Sequence, residues 1–123
     1  MGIERRQFPR VTLICRVTIT CGERRSKVYN SHSENVSAGG IRIILDENLI
    51  VRTPLELELF LPDREKSLKC KGQVVWVREM GPPTATPHFY DTGIEFKEME
   101  ESDQHILTEA ISTMLMQVQR YAL

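Results

Sequence analysis

Alternating apolar and polar residues run through most of the chain and predict a series of β-strands. The segment VTLICRVTITC, residues 11–21, places its apolar side chains on one face, and only Ile14 is out of phase. The segment LELELFLP, residues 55–62, alternates as cleanly, and Pro54 and Pro62 bracket it, as strand ends tolerate. Both segments therefore predict strands that bury one face in a core.

Four further segments are predicted to be strands: KVYNSHSENV, IRIILD, SLKCKGQVVWVRE and FYDTGIEFK. Together with the first two they form six strands in series, joined by short polar turns and without an intervening helix. This order predicts an antiparallel sheet that closes into a barrel or packs as a sandwich. Gly72 and Gly93 interrupt strand patterns, and each is expected to mark a bulge, a bend or a close approach to the backbone.

The hydrophobic period changes near residue 100 and predicts an amphipathic helix over residues 101–121, with Ser102 or Asp103 as its N-cap. Its apolar stripe either covers an end or side of the barrel or forms a self-association surface that would give a homodimer. Covering is favoured, because a small barrel needs the additional burial. The stripe consists of Leu107, Ile111, Met114, Val118 and Tyr121, widened by Ile106, Ala110 and Leu115.

Composition narrows the classes of function. Sixteen Lys and Arg are offset by seventeen Asp and Glu, so no broad basic field is available for a nucleic-acid polymer. No apolar run approaches the roughly 20 residues that span a bilayer, so no membrane insertion is expected. The three cysteines lack metal or redox spacing and fit buried thiols in a reducing cytoplasm. No histidine–carboxylate–nucleophile set or paired metal motif is visible, which disfavours an enzyme or a metal site.

Positive charge is concentrated in ERRQFPRV, residues 4–11, which contains Arg5, Arg6 and Arg10. Pro9 disfavours a continuous helix here, so residues 1–10 are expected to form a flexible arm leading into the first strand. Arginine presents a planar fork of donors that fits a phosphate or the O6/N7 edge of guanine. A solvated arm with surface ion pairs is the alternative, and charge alone favours it.

A second cluster of polar and small residues is ENVSAGG, residues 34–40. Asn35 and Ser37 are two positions apart, so they point the same way in an extended segment. Gly39 and Gly40 can adopt positive φ and let a ligand approach the backbone. The segment is either a plain turn between strands or a polar shelf for a ligand.

The two clusters in this order resemble the PilZ family of bacterial cyclic-di-GMP receptors. The family pattern is Arg-x-x-x-Arg near the N-terminus, followed a few dozen residues later by Asp/Asn-x-Ser-x-x-Gly. RQFPR supplies Arg6 and Arg10, and NVSAGG supplies Asn35, Ser37 and Gly40. Asn35 stands where Asp is common. The strand series, TGIEF and the terminal helix are also similar to the family, from about Glu4 to the helix.

The resemblance implies one domain with a six-stranded antiparallel β-barrel of split-barrel type over residues 11–97 and a helix packed on it. The arm would wrap over cyclic-di-GMP on the outer surface of the barrel, and no other cofactor is implied. Arg6 and Arg10 would each grip a phosphate or a guanine edge, and Asn35 a guanine edge. Ser37 would contact a guanine or a phosphate, and Gly40 would permit close backbone approach.

Two residues outside the motif are further candidates for the ligand site. Arg5 either stacks on a base or reaches a second ligand molecule. Trp76, the only tryptophan, lies in the run VVWV, which is apolar on both parities. It therefore either stacks on a guanine or is buried in the core or against the helix.

The function predicted from these features is a binding switch without chemistry of its own. Cyclic-di-GMP would order the arm, and the new surface would signal to an unidentified downstream protein. The alternative is a PilZ-like protein–protein interaction module that does not bind the nucleotide.

Overall fold

The computed structural model describes residues 15–21, 27–62 and 64–122. The predicted arm, with Arg5, Arg6 and Arg10, lies outside the described residues, as does the start of the first predicted strand. Six strands and one helix follow in chain order. They are β1 (Arg16–Cys21), β2 (Lys27–Val36), β3 (Gly40–Leu45), β4 (Pro54–Phe60), β5 (Leu68–Met80), β6 (Phe89–Met99) and α1 (Glu101–Ala122).

The strands close into an antiparallel barrel in the order β1-β2-β3-β6-β5-β4, and β4 pairs back onto β1. The predicted six-stranded antiparallel barrel with a C-terminal helix is confirmed. Chain neighbours form most of the pairs, because short connections favour antiparallel hairpins. The long-range pairs, β3 with β6 and β1 with β4, join strands distant in sequence.

The apolar residues that alternate along the strands point into the barrel and fill its interior. Burial of such side chains is worth about 1.5–3 kcal/mol each, which makes this interior the main source of stability. The buried set includes Val17, Ile19, Val36, Ile41, Ile43, Leu45, Leu55, Leu57, Leu59, Leu68, Val74 and Ile94. Cys15 and Cys70 are buried free thiols, in agreement with the sequence prediction.

The helix α1 adds its apolar stripe to the barrel interior. Leu107 and Ile111 are buried in the core, and Ile106, Ala110, Met114 and Leu115 pack against it. Covering of the barrel is therefore confirmed for this part of the stripe; Val118 and Tyr121 have no described side chains. Among the described residues, no helix is long and apolar enough to cross a membrane.

The start of α1 differs from the sequence prediction. The helix begins at Glu101, and the amide of Gln104 donates to the carbonyl of Glu100. Ser102 and Asp103 therefore lie in the first turn, and their prediction as N-caps was wrong. Asp103 instead accepts a hydrogen bond from the amide of Lys69 at 3.3 Å and lies 3.8 Å from Lys66 Nζ. These contacts tie the start of the helix to β5.

Candidate functional site

The NVSAGG segment forms the end of β2, a tight turn and the start of β3. Ser37 is buried, and its amide donates to the Gly40 carbonyl at 2.9 Å. Its Oγ accepts from the amide of Gly39 at 3.2 Å and donates to the carbonyl of Gly40 at 3.4 Å. Serine hydroxyls commonly stabilise turns in this way. Ser37 thus has a structural task in the turn, and its contact with a ligand stays a prediction.

Gly40 is required by the packing of β3 against β6. A Cβ atom at this position would overlap the carbonyl oxygen of Ile94, and it would lie 3.4 Å from the Cα atom of Glu95. Because both neighbours are backbone atoms, no side-chain rotation could relieve the overlap. The side of Gly40 that faces β6 is therefore filled by the protein's own backbone. The close approach that was predicted for a ligand at Gly40 is made there by β6.

Four residues on neighbouring strands line up across the outer face of the barrel. Asn35 on β2 is opposite Arg42 on β3, Arg42 is opposite Gly93 on β6, and Gly93 is opposite Trp76 on β5. Residues directly opposite in an antiparallel pair share a face. Arg42 lies between the inward-facing Ile41 and Ile43, so that face is the outer one. These four residues are called the outer row below.

Trp76 lies over Gly93 in this row. A Cβ atom on Gly93 would overlap Cε2 and Nε1 of the indole, so only glycine lets the ring lie flat on β6. The side chain of Trp76 is 37% exposed, so one part of the ring packs on the strand and another part meets solvent. Of the alternatives open from the sequence, burial in the core is excluded.

A β-bulge explains why VVWV is apolar on both parities. The register of β5 against β6 shifts between Val74 and Trp76, so Val75 is an extra residue in β5. Val74 is buried and Val77 half-buried, whereas Val75 and Trp76 are both exposed. The bulge thus turns Trp76 outward, as bulges often re-aim a side chain near a functional site.

A buried ion cluster lies beside the outer row. Asp91 on β6 is fully buried, although it shares the outward parity of Gly93. Its Oδ1 accepts a hydrogen bond from Arg42 Nε at 2.7 Å, and its Oδ2 accepts one from Arg78 Nη2 at 2.8 Å. Both distances are those of strong charge-assisted hydrogen bonds. The cluster therefore fixes one arginine of the outer row.

A large cleft lies elsewhere on the barrel surface. Its volume is about 770 Å³, and it borders β1, β4, β5, the end of β6 and the start of α1. Within it, Thr20, Glu56, Lys71 and Glu98 line up across four strands, and we call this set the charge ladder. Lys71 Nζ and Glu98 Oε2 are 3.8 Å apart and both side chains are largely exposed. No residue of the outer row lines the cleft.

Neither metal ligation nor titration singles out another site. In the part of the chain that the structure describes, no three histidine, cysteine or acidic side chains are grouped so that they could hold a metal ion. Burial raises the pKa of the Cys70 thiol to about 12, and the nearby Asp103 carboxylate adds to the shift. Burial also raises the pKa of Cys15, against a smaller lowering by its hydrogen bond with Ser33. Both thiols are therefore poor nucleophiles.

Comparison with known families identifies the class of protein that this barrel represents. A family model of the PilZ domain matches residues 4–112. The chain therefore belongs to the PilZ domain family. No curated protein sequence matches the chain.

Solved structures of PilZ proteins share the fold. The Bacillus subtilis inhibitor of motility, MotI/DgrA, matches with a TM-score of 0.71 at 26% identity, over 92% of this chain and 53% of that chain. MrkH of K. pneumonia, in complex with c-di-GMP, matches with a TM-score of 0.77 at 17% identity, over 97% and 56%. The PilZ domain of Escherichia coli YcgR, solved with c-di-GMP, matches at 0.70 and 12%, over 97% and 98%. The chain thus spans about half the length of the first two.

The structure unites some of the predicted site residues and adds others. Asn35 and Trp76 lie in one row, whereas Ser37 and Gly40 lie in the adjoining turn with defined structural tasks. Sequence reasoning missed Arg42, Arg78 and Asp91. The only local signal was a charged residue inside each of the strand patterns IRIIL and YDTGI, and the pairing itself joins residues far apart in the chain.

Proposed function

We propose that the protein is a receptor for cyclic-di-GMP that binds the nucleotide on the outer face of the barrel, around the outer row. Binding would change the conformation of the N-terminal segment, and the altered surface would signal to a protein partner. The proposal extends to this chain the ligand with which MrkH and YcgR were solved. It assigns no catalytic step to the protein.

The observation that carries the proposal is the placement of Asn35 and Trp76 in one row. An amide side chain can hydrogen-bond a base edge, and an indole can stack on a base face. The row covers three interstrand spacings, roughly 14 Å along the surface. The side chains of Asn35 and Trp76 would therefore contact different parts of a ligand. A dinucleotide offers two bases for such a divided site.

The N-terminal arginines complete the proposed site. Cys15 pairs with Ser33 on β2, so the described chain begins close to Asn35. Covalent length limits the Cα atom of Arg10 to within about 17 Å of that of Cys15, which is in reach of the outer row. Arg6 and Arg10 are proposed to bind phosphate or guanine through their planar donor forks.

Titration calorimetry tests the proposal directly. The wild-type protein is expected to bind cyclic-di-GMP at low micromolar concentration or tighter. Arg6→Ala and Arg10→Ala should each weaken binding by about 10- to 100-fold, since a charge-assisted hydrogen bond contributes roughly 1.5–3 kcal/mol. Asn35→Ala should weaken binding by a comparable factor, since a good amide contact with a base edge is worth about 1–3 kcal/mol. Absence of wild-type binding, or unchanged affinity in all three variants, would refute the proposal.

Cyclic-di-AMP serves as the matched control ligand because it keeps both phosphates. Adenine presents a donor at N6 where guanine presents the O6 acceptor, so a site that reads guanine edges should discriminate against it. Stoichiometry in the same titrations, compared with Arg5→Ala, tests whether Arg5 recruits a second ligand molecule. The fluorescence of Trp76, the only tryptophan, should change on binding if the indole stacks on a base.

A second function is supported by one observation. Ser37 and Gly40 have structural reasons to be present, namely the turn and the approach of β6, that do not involve a nucleotide. The geometry of the turn would then serve a protein–protein interaction module that lacks the ligand. Absence of nucleotide binding by a folded wild-type protein would favour this function.

A further inference from the structure

The carboxylate of Asp91 is the most buried charged group that the structure describes on the outer face. Its neighbour along β6 in the same direction is Gly93, which has no side chain to cover it. Arg42 and Arg78 approach from β3 and β5, and each binds a different oxygen of the carboxylate. The charge of Asp91 is thus enclosed by the two strands on either side of β6.

The cluster of Arg42, Arg78 and Asp91 contains more positive than negative groups. Taken together, the two guanidinium groups and the one carboxylate carry one net positive charge. A carboxylate without solvent must be paired, so Asp91 holds both arginines in place before any ligand arrives. A side chain that is already fixed loses less conformational entropy on binding, and such preorganisation increases affinity.

Arg42 is the arginine that this arrangement directs to the outer row. Its Cα atom is opposite that of Asn35, and its side chain is 30% exposed, whereas that of Arg78 is 71% exposed. The bond to Asp91 runs through Nε, which sets the plane of the guanidinium group. A fixed cation therefore lies in the row between the amide of Asn35 and the indole of Trp76.

We infer that Arg42 contacts a phosphodiester oxygen of the bound cyclic dinucleotide and that Asp91 is the positioning residue that presents it. This inference rests on the proposed function and assigns a contact outside the Arg-x-x-x-Arg and Asn-x-Ser-x-x-Gly segments. Arg78 neutralises the second oxygen of Asp91, so the carboxylate does not repel the anionic ligand. Asp91 itself has no contact with the ligand.

Calorimetry with cyclic-di-GMP on Arg42→Gln and Arg42→Lys tests the contact. Arg42→Gln should raise Kd by about 10- to 100-fold, the range of a charge-assisted hydrogen bond. Arg42→Lys keeps the charge without the planar fork and should fall between wild type and Arg42→Gln. Arg64→Gln is the matched control, because Arg64 is exposed in the connection between β4 and β5. It should leave Kd within about twofold of wild type.

Asp91→Asn tests the positioning role through the sign of its effect. The substitution adds one positive charge to the surface, so simple attraction of an anion would make binding tighter. Loss of a fixed Arg42 would instead make binding weaker, and we expect Kd to rise about 3- to 30-fold. In an Arg42→Gln background, Asp91→Asn should cause little further loss, because it acts through Arg42.

The outcomes separate this inference from the proposed function. Wild-type binding with Arg42→Gln unchanged would overturn the contact and leave the function intact. Tighter binding by Asp91→Asn, or an equal loss in the Arg42→Gln background, would overturn the positioning role. Absence of wild-type binding would refute the proposed function itself. Thermal melts verify that each variant is folded, and if Asp91→Asn is not, Arg42→Gln and Arg42→Lys still decide the contact.

Discussion

The outer row and the charge ladder lie on the same barrel, but their charged residues are held in different ways. In the outer row, Arg42 is bound to a fully buried carboxylate at 2.7 Å. In the ladder, Lys71 and Glu98 face each other at 3.8 Å, both largely exposed. Exposed pairs of this kind contribute about 0–1 kcal/mol and restrain their side chains little. The ladder is therefore a solvated strand surface, whereas Arg42 of the outer row is held by a buried partner.

The two regions also differ in cavity size and in net charge. The ladder borders a cleft of about 770 Å³, and no residue of the outer row lines that cleft. Opposite charges alternate across the ladder, so it offers no net attraction to an anion. The outer row and its buried cluster carry a net positive charge. For the proposed anionic dinucleotide, the fixed charge of the outer row therefore favours it over the cleft as the binding site.

The largest effect is expected from Gly40→Ala, which places a Cβ atom against the backbone of β6 beside the outer row. Overlap with the Ile94 carbonyl should destabilise the protein by about 2–3 kcal/mol, or lower Tm by roughly 8–12 °C. Thermal denaturation followed by circular dichroism measures this. Gly81→Ala is the control, because Gly81 has φ 77° but an added Cβ would meet only Ala85 Cβ at an ordinary 3.9 Å, and it should cost only about 1–2 kcal/mol. Equal losses would show that the contact of β3 with β6 at Gly40 can relax.

Gly93→Ala tests whether the flat packing of Trp76 matters for the outer row. The added Cβ should displace the indole, shift its fluorescence and raise the Kd for cyclic-di-GMP about tenfold, since stacking is worth roughly 1–3 kcal/mol per base. The loss of stability should be smaller than for Gly40→Ala, because a side chain can rotate away. Trp76→Phe keeps an aromatic ring and should lose less affinity. An unchanged emission spectrum in Gly93→Ala would contradict the model of packing.

The third test compares the buried ionisable groups of the two regions. Cys70, which lines the cleft, buries a neutral thiol, whereas Asp91 beside the outer row buries a charged carboxylate. The raised pKa of Cys70 favours the native state below pH 9, the ordinary value of the thiol. As pH rises from 9 towards about 12, the unfolded state ionises first and this stability is lost, by about 1 kcal/mol at pH 10. Urea denaturation at pH 8 and pH 10 should show a larger decline in wild type than in Cys70→Ala. Parallel declines would indicate that Cys70 ionises as readily in the folded protein.

The smallest effect is expected from Lys71→Gln in the charge ladder. Kd for cyclic-di-GMP should stay within about twofold and stability within about 0.5 kcal/mol of wild type, since the pair with Glu98 is exposed. Calorimetry alongside Asn35→Ala measures the contrast. If Lys71→Gln weakened binding as much as Asn35→Ala, the cleft and not the outer row would be the ligand site.

Alternation made the barrel predictable, because a strand with one buried face carries its period in the sequence. Residues of β4 such as Leu55, Leu57 and Leu59 have the parity that the structure buries. The pairing of β3 with β6 carried no local signal, and the outer row depends on that pairing. Arg42 could not be joined to Asp91 from the sequence, because the two are 49 positions apart and meet only through the strand order.

Trp76 showed a different limit of sequence reasoning. Its neighbours Val74, Val75 and Val77 are all apolar, so periodicity could not reveal which way the indole points. The bulge decides this, and its cause lies in the register of two strands. The role of Gly93 was anticipated only as a close approach, and the structure shows that the approaching group is the indole.

The single extra residue at Val75 acts on β5 as an insertion acts on a reading frame. Residues before it, such as Val74, keep the parity set by Leu68, and those after it have their inward and outward positions exchanged. If β5 instead ran regularly through Val75, with Val75 paired like its neighbours, Trp76 and Arg78 would face the interior and Val77 would face solvent. One unpaired residue thus places the indole of Trp76 and the guanidinium of Arg78 on the outside of the barrel, where they meet Gly93 and Asp91.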